Sequence, residues 1–416
     1  MTYYKSIAPV TEGSEEPFGI EEIIYSRTDK RGVILAANEV FRRVSRYEWD
    51  RLIGAPHRIL RNPDTPRGVF HLMWKTIQAG NPICALVKNR SALGGWYWVT
   101  AVVVPVEDGY ISLRIKPGGE VFSKTKAIYA ALVAAEQSRS LSPEDSANQL
   151  LATVMEAGFD SYHDFMTTLL QQSMAGRDMA LRNASGPLVQ ALSTLGSHIK
   201  ATREEQRALV AEFENLQSVP TNMRIIASRL EPTGGPISAI SDNYKYASAE
   251  IARKLDAFAG TESNQCRLMV DIIGEAILRC SIAQIISELV RQYDREDQGR
   301  TPVRIDAEVA RLVAVENQYV EASWKTILRI KPVAAILNES STEIRRMTLG
   351  LDTIRVMGKV ESGHLGPDGG GLASTIDQLD GRHAVIARHL QRMMDLSAGI
   401  GTVIATFSRN RIAQKP

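Results

Sequence analysis

The stretch that decides the fold runs from Arg27 to Val99: Arg27-Thr28-Asp29, Gly32-Val33-Ile34-Leu35-Ala36-Ala37-Asn38, Gly54-Ala55-Pro56-His57, Arg61-Asn62-Pro63-Asp64, Trp74, Val87-Lys88-Asn89-Arg90 and Tyr97-Trp98-Val99. Apolar runs on either side of Asp29-Lys30-Arg31-Gly32 predict strands over 22–28 and 33–36 joined by a hairpin turn, with Gly32 placed for a positive φ. Two more strands are predicted over 97–104 and 110–115, which are rich in aromatic and β-branched residues, with Asp108-Gly109 as their turn. Short helices fit over 39–45, 48–52 and 67–79, the last stopped by Gly80. Pro117-Gly118-Gly119 closes a unit that reads strand, strand, helices, then three strands.

Past residue 120 the strand signals end and helical periodicity takes over. Ser142 is placed as a cap and Pro143 as the first residue of a helix through Met155. A break over 158–161 precedes a helix over 162–182. Heptad spacing follows: Leu209, Phe213, Leu216, Pro220, Met223, Ala227 and Leu230 form one arm, and Ile237, Ile240, Tyr244, Ala247 and Ile251 form the next. Glu231-Pro232-Thr233-Gly234-Gly235-Pro236 reverses the chain between them. Such a hairpin cannot hide its apolar stripe alone and is expected to pack on further helices or on a second copy. Longer helices are predicted over 262–296, 302–362 and 374–409, with a loop over 366–371. The fold class is therefore α+β. A flexible lead-in (1–17), a five-stranded antiparallel domain (18–119), a helical connector (120–186) and an all-α bundle (187–416) with its hairpin turn at 231–236 are expected in that order.

Composition excludes several function classes. With 416 residues the chain is too long for one core. A net charge of +2, from 49 basic and 47 acidic residues, lacks the excess of a nucleic-acid binder. Cys84, Cys266 and Cys280 match no zinc or redox spacing and point to buried thiols in a reducing cytoplasm. No run approaches the roughly 20 apolar residues of a membrane span, and the N-terminus lacks a signal-peptide core. His383 and His389 fall on different helix faces, and no metal site is expected. Asp368-Gly369-Gly370-Gly371 follows no strand and has no P-loop lysine. Nothing matches a catalytic motif, so an enzyme is not expected.

Six side chains in the N-terminal domain carry the chemistry. Asn38, at the start of a short helix, either caps that helix or points its amide inward, where it offers a donor and an acceptor together. Asn89, expected on the central strand, can do the same from the other side. Trp74 is either core or a flat wall for a ring. Arg61 and Asp64 bracket Pro63, ready to pair with each other or to meet a ribityl or phosphate group. His57 follows Pro56 on the same side.

The joint order of these runs resembles a PAS domain, and within that class the flavin-binding PAS domain of bacterial aerotaxis receptors. The similarity is carried by Arg27-Thr28-Asp29, Ala37-Asn38 with Phe41, Ser45 and Tyr47, Leu52-x-Gly54-x-Pro56-His57, Arg61-x-Pro63-Asp64-x-Pro66, Met73-Trp74, Val87-Lys88-Asn89-Arg90 and Tyr97-Trp98-Val99. It implies a non-covalent FAD whose redox state reports oxygen or electron transport, with Asn38, His57, Arg61, Asp64, Trp74 and Asn89 as contacts. The chain departs from that pattern at Asn62, where the family has His, and at Ile83, where it has Trp. Cys84 is not placed for a blue-light adduct.

A shorter likeness lies in the first heptad hairpin. Thr221-Asn222-Met223, Glu231 and Gly234-Gly235-Pro236-Ile237-Ser238-Ala239-Ile240 resemble the tip of bacterial chemoreceptors, which contacts a histidine kinase and a coupling protein. Here the arginine of the family's Gly-Arg-Gly-Phe segment is missing. Together the resemblances imply a cytoplasmic, homodimeric redox sensor with FAD in its PAS domain and a helical output toward a chemotaxis kinase complex. The alternatives are a cofactor-free PAS scaffold for dimerisation and a PAS sensor of haem or another small ligand.

Overall fold

A computed structural model describes residues 13–183, 186–229, 235–259, 264–295, 302–364 and 370–414. The strands are β1 (Ile24–Asp29), β2 (Ile34–Ala37), β3 (Ile83–Arg90), β4 (Trp96–Val106) and β5 (Gly109–Ile115). They form one antiparallel sheet in the order β2-β1-β5-β4-β3. Between β2 and β3 come α1 (Glu39–Ser45), α2 (Trp49–Leu52), a 3-10 turn over His57–Leu60, and α3 (Arg67–Gln78). This is the PAS arrangement that the motif order implies. One expectation changes: β3, with Asn89, is an edge strand and not a central one. The chain enters β3 only after α3 has crossed the sheet, and β4 and β5 then fill the middle.

The long-helix region comprises α4 (Glu120–Arg139), α5 (Pro143–Glu156), α6 (Tyr162–Leu181), α7 (Pro187–Leu216), α8 (Val219–Arg229), α9 (Gly235–Ala259), α10 (Gln265–Tyr293), α11 (Ile305–Leu328), α12 (Ile330–His364) and α13 (Gly370–Gln414). Local signals set several boundaries. Ser142 Oγ accepts from Asp145 N at 3.1 Å and Ser161 Oγ from Asp164 N at 3.1 Å, capping α5 and α6. Pro220, read as one step of a continuous arm, instead sits in the first turn of α8, where its missing N–H is tolerated. The predicted helix over 302–362 is broken at Arg329. Of the expected turn over 231–236 and loop over 366–371, residues 231–234, with Glu231, and 366–369 lie outside the described residues, whereas 235–236 open α9 and 370–371 open α13.

The chain divides into two compact units. The first holds the PAS sheet, α4–α6 and the returning segment Gly274–Trp324, the second half of α10 with most of α11. One continuous apolar core runs through it, from Ile23, Leu86 and Val102 to Leu169, Ile282 and Leu312. The second unit holds Pro187–Ile273 and Lys325–Pro416. There α7 packs on α13, α13 on α12, α12 on α9, and α9 on α8, closing a bundle of four arms. Leu209, Phe213, Tyr244, Ile251, Leu351 and Ile386 are buried inside it. The heptad stripe of the first hairpin is thus covered by further helices of the same chain.

Candidate functional site

Successive side chains on a strand alternate between faces. Val87 and Asn89 of β3, Ala101 and Val103 of β4, and Tyr110, Ser112 and Arg114 of β5 therefore share one face, and with Thr28 they line a cavity of about 320 Å3. Helix α3 covers it. Its Phe70, Met73, Trp74 and Ile77 recur at i, i+3, i+4 and i+7, which is one helical face. Trp74 meets Tyr110 edge to face, with centroids 5.6 Å apart. Gly32 closes the rim in a left-handed conformation (φ +80°), and a Cβ there would lie 3.1 Å from the Trp74 ring.

The residue before helix α3 is Pro66, which supplies no side-chain cap. Its N-terminus is capped instead from the connector. Glu136 of α4, itself buried, accepts from Arg67 N at 2.7 Å and from Ser146 Oγ of α5. Gly68 N donates to Ser146 Oγ at 3.2 Å. A carboxylate at a helix N-terminus satisfies free N–H groups and meets the positive end of the helix dipole. The cavity helix is thereby tied to the connector.

Two residues of the lining, Arg114 and Asn89, each carry a buried donor without a partner. Arg114 is only 2% exposed; its Nη2 donates to Ser26 Oγ at 2.8 Å and, in a short contact, to His57 Nε2. Its Nη1 has no partner, and neither has Nδ2 of Asn89, which is 3% exposed. An unpaired buried donor costs roughly 1–3 kcal/mol, so a ligand edge bearing acceptors would recover that cost. Burial pushes the Arg114 guanidinium down to about 10, which leaves it charged at neutral pH. Burial, then Arg114 and Arg61, push His57 well below its ordinary range. His57 is thus neutral, accepting at Nε2 from Arg114.

Four of the six expected residues meet at this cavity: His57, Arg61, Trp74 and Asn89. A bridge between the Arg61 and Asn89 backbones brings the 3-10 turn beside β3, and the Arg61 guanidinium lies 4.2 Å over the Phe70 ring. Asn38 and Asp64 lie outside the lining. Asn38 caps α1: its Oδ1 accepts from Phe41 N at 3.1 Å and Tyr25 N at 3.0 Å, and its Nδ2 donates to Ile23 O at 2.8 Å. Asp64 does not pair with Arg61; it takes Lys88 Nζ at 2.6 Å. Of the two departures, Asn62 Oδ1 accepts from Asp64 N at 2.9 Å in a tight turn. Ile83 packs with Ile77, Val103 and Tyr110 beneath Met73 and Trp74.

Arg114 was missed. Its one sequence signal is a charged residue within the otherwise apolar strand β5. Arg58, Phe70 and Ser112 carried no signal. Among the described residues no three His, Cys, Asp or Glu side chains cluster as metal ligands. No helix among them is long and apolar enough to cross a membrane.

The chain is 34% identical over 138 residues to the aerotaxis receptor of Escherichia coli, covering 32% of this chain and 27% of the receptor. Its N-terminal region is homologous to that receptor. It is also 32% identical over 84 residues to the nitrogen fixation regulatory protein of Klebsiella oxytoca (20% of this chain, 17% of the regulator). With the bacterioopsin transcriptional activator of Halobacterium salinarum it shares 29% identity over 100 residues (24% of this chain, 14% of the activator). The chain thus spans about a quarter or less of the length of these relatives, which are named as a receptor and as regulators. No family model matches it.

Proposed function

We propose that this protein is a signal-transduction sensor whose PAS domain holds a flavin and whose helices pass its redox state to a chemotaxis-type kinase complex. The observation that carries the reading is the pair of unpartnered donors, Arg114 Nη1 and Asn89 Nδ2, inside an apolar-walled cavity. Its volume of about 320 Å3 sits at the lower end of the roughly 300–1,000 Å3 of small-molecule sites, as suits a flat ring. A flavin edge offers the carbonyl and ring-nitrogen acceptors these donors lack, and Trp74, Phe70 and Met73 supply flat apolar walls. The likeness to an aerotaxis receptor supports the same ligand.

A bound flavin would supply a reversible change in ring charge and protonation. The chain's own residues would register it. Arg114, tied to Ser26 and His57, resists displacement, whereas Asn89 on the edge strand and Trp74 on α3 are freer to shift. A shift of α3 reaches Glu136 and Ser146 directly, because they hold its first turn. On the opposite face of the sheet Thr100 bonds Ser173 of α6 at 3.1 Å, and Trp98 packs on Phe122 and Tyr129 of α4. These connector contacts are the element a redox change would rebias.

The test is the visible absorption spectrum of the purified full chain, before and after addition of FAD. A flavin spectrum with the vibronic structure of a bound ring is expected. A colourless protein that takes up no FAD would overturn the flavin reading, and a Soret band would replace it with haem. Kinase coupling is tested by co-purification with a chemotaxis kinase and coupling protein.

A further inference from the structure

The residues that lead into the first strand place a carboxylate inside the N-terminal domain. Trp96 N donates to Ser14 O at 3.0 Å and Glu16 N donates to Trp96 O at 2.7 Å, so residues 14–16 run along the start of β4. Glu16 is only 1% exposed. Gly95 makes the room for it: a Cβ there would lie 2.6 Å from Glu16 Oε1. One carboxylate oxygen, Oε2, accepts from Arg46 Nε at 2.9 Å. The other, Oε1, is buried and has no hydrogen-bond partner.

Tyr97, the next residue along β4, is fully buried, and its hydroxyl has no partner either. Phe18 packs edge-on against its ring, with centroids 6.4 Å apart. Directly opposite Tyr97 on β3 stands Asn89, whose Nδ2 is unpaired. Residues opposed in this way carry their side chains on the same face of the sheet. Burial pushes the Tyr97 hydroxyl up, Arg114 pulls it back and Glu16 pushes it further, so both charges act on one oxygen. Four buried polar groups of complementary kind thus surround Tyr97. Glu16 Oε1 only accepts, Asn89 Nδ2 and Arg114 Nη1 only donate, and the phenol does both. Arg114 is moreover a buried cation without a carboxylate partner among the described residues. Burying a charge is costly unless it is compensated and hydrogen-bonded.

We infer that Glu16, Tyr97, Asn89 and Arg114 enclose a buried hydration site, in which ordered water links the Glu16 carboxylate to the Arg114 guanidinium. An outer water bridges Glu16 Oε1 and the Tyr97 hydroxyl, and an inner one continues to Arg114 Nη1 and Asn89 Nδ2. Buried water makes about three hydrogen bonds to otherwise unsatisfied groups of this kind. Glu16 is then the positioning residue of Arg114: it compensates the cation from a distance, through water that the two charges polarise. A ligand edge that meets Arg114 and Asn89 takes the place of the inner water and leaves the outer one bound. The site makes no demand on the chemistry of that ligand and stands independently of the flavin reading.

The experiment reads hydrogen exchange of the full chain at the Glu16 and Trp96 amides, in Tyr97→Phe, Glu16→Met and the double variant. Each single change is expected to lower protection about tenfold, the order of one buried hydrogen bond left unmade. The double variant is expected to stay within about threefold of the weaker single, because either change alone removes the bridge. A loss of about a hundredfold, the two effects acting independently, would overturn the shared water. Arg46→Met combined with Tyr97→Phe is the control and is expected to be additive, since the Arg46 bond to Oε2 does not run through Tyr97. Coupling of equal size in that pair would assign the effect to packing of the N-terminal residues and overturn the inference. A high-resolution crystal structure of the unaltered chain decides the matter even where a variant fails to fold. Ordered water bonded to both Glu16 Oε1 and the Tyr97 hydroxyl is expected; a direct bond between the two, or a dry gap, would overturn the site.

Discussion

Arg27 of β1 and Glu308 of α11, 281 positions apart in sequence, meet in a salt bridge at 2.6 Å. Tyr25 OH donates to the same carboxylate at 2.6 Å, and burial together with Glu308 pushes the Tyr25 hydroxyl well above its ordinary range. Close by, Gln292 of α10 bonds both backbone groups of Ile23, and Arg177 of α6 pairs with Glu288 at 2.7 Å while donating to Glu21 O. The returning helices are thereby bound to β1 and to the residues just before it in the N-terminal domain.

Removing that carboxylate strands the buried Tyr25 hydroxyl and the half-buried Arg27 guanidinium. Glu308→Ala is expected to cost about 3 kcal/mol, the range for breaking one side of a buried pair, and Glu308→Gln about half as much. Urea unfolding of the full chain checks it; a loss under about 0.5 kcal/mol for Glu308→Ala would show that the contact is replaceable by water.

The helix crossing at Gly68 has no room for a side chain. A Cβ there would lie 2.5 Å from Ala147 N and 2.6 Å from the Ser146 carbonyl carbon, both backbone atoms. Gly68→Ala should therefore push α3 off α5 and lower stability by about 1–3 kcal/mol. Increased hydrogen exchange over 67–78 and 143–156 would locate the damage, and unchanged exchange there would contradict it.

His57 gives the N-terminal domain an acid limit. Its folded-state affinity for a proton is depressed by burial and by Arg114 and Arg61, while the unfolded chain titrates near the usual value of about 6.5. Below that pH the unfolded state binds more protons, so stability falls as pH drops through about 6.5 toward the folded value. Arg114→Met removes the nearest cation and should raise the His57 titration midpoint in an NMR pH series. An unmoved midpoint would mean that Arg114 does not govern it.

In the helical bundle, Tyr244 OH bonds His383 Nε2 at 2.8 Å, and His383 Nδ1 bonds Asp352 at 2.7 Å, with His383 only 3% exposed. His383→Ala leaves the Tyr244 hydroxyl buried and unpaired and should cost about 1–3 kcal/mol. A double-mutant cycle with Tyr244→Phe is expected to give a coupling of about 1 kcal/mol; additivity would show that the two do not act together.

Much of this protein is legible over short windows of sequence. The turn at Asp29–Gly32, the cap at Ser142 and the helix over 67–79 each depend on residues within a few positions of one another. Local backbone preference decides such features, so they survive whatever the rest of the chain does. Asn38 shows the limit of that reading: its type allowed a cap or a ligand contact, and bonds that include those to Phe41, Tyr25 and Ile23 make it a cap of α1.

Tertiary structure alone decided what the sequence carried no period for. Lys88, not Arg61, took Asp64. Asn89 came to an edge strand, Glu136 became the cap of a helix that starts 69 residues earlier, and Glu308 returned to β1. Arg114 became the charged floor of the cavity because strand alternation turned it inward beside His57. The heptads announced a bundle, yet which helices would cover them depended on the whole length of chain available to fold back. Contacts between distant residues are selected by burial and charge compensation in three dimensions, and no local pattern records them.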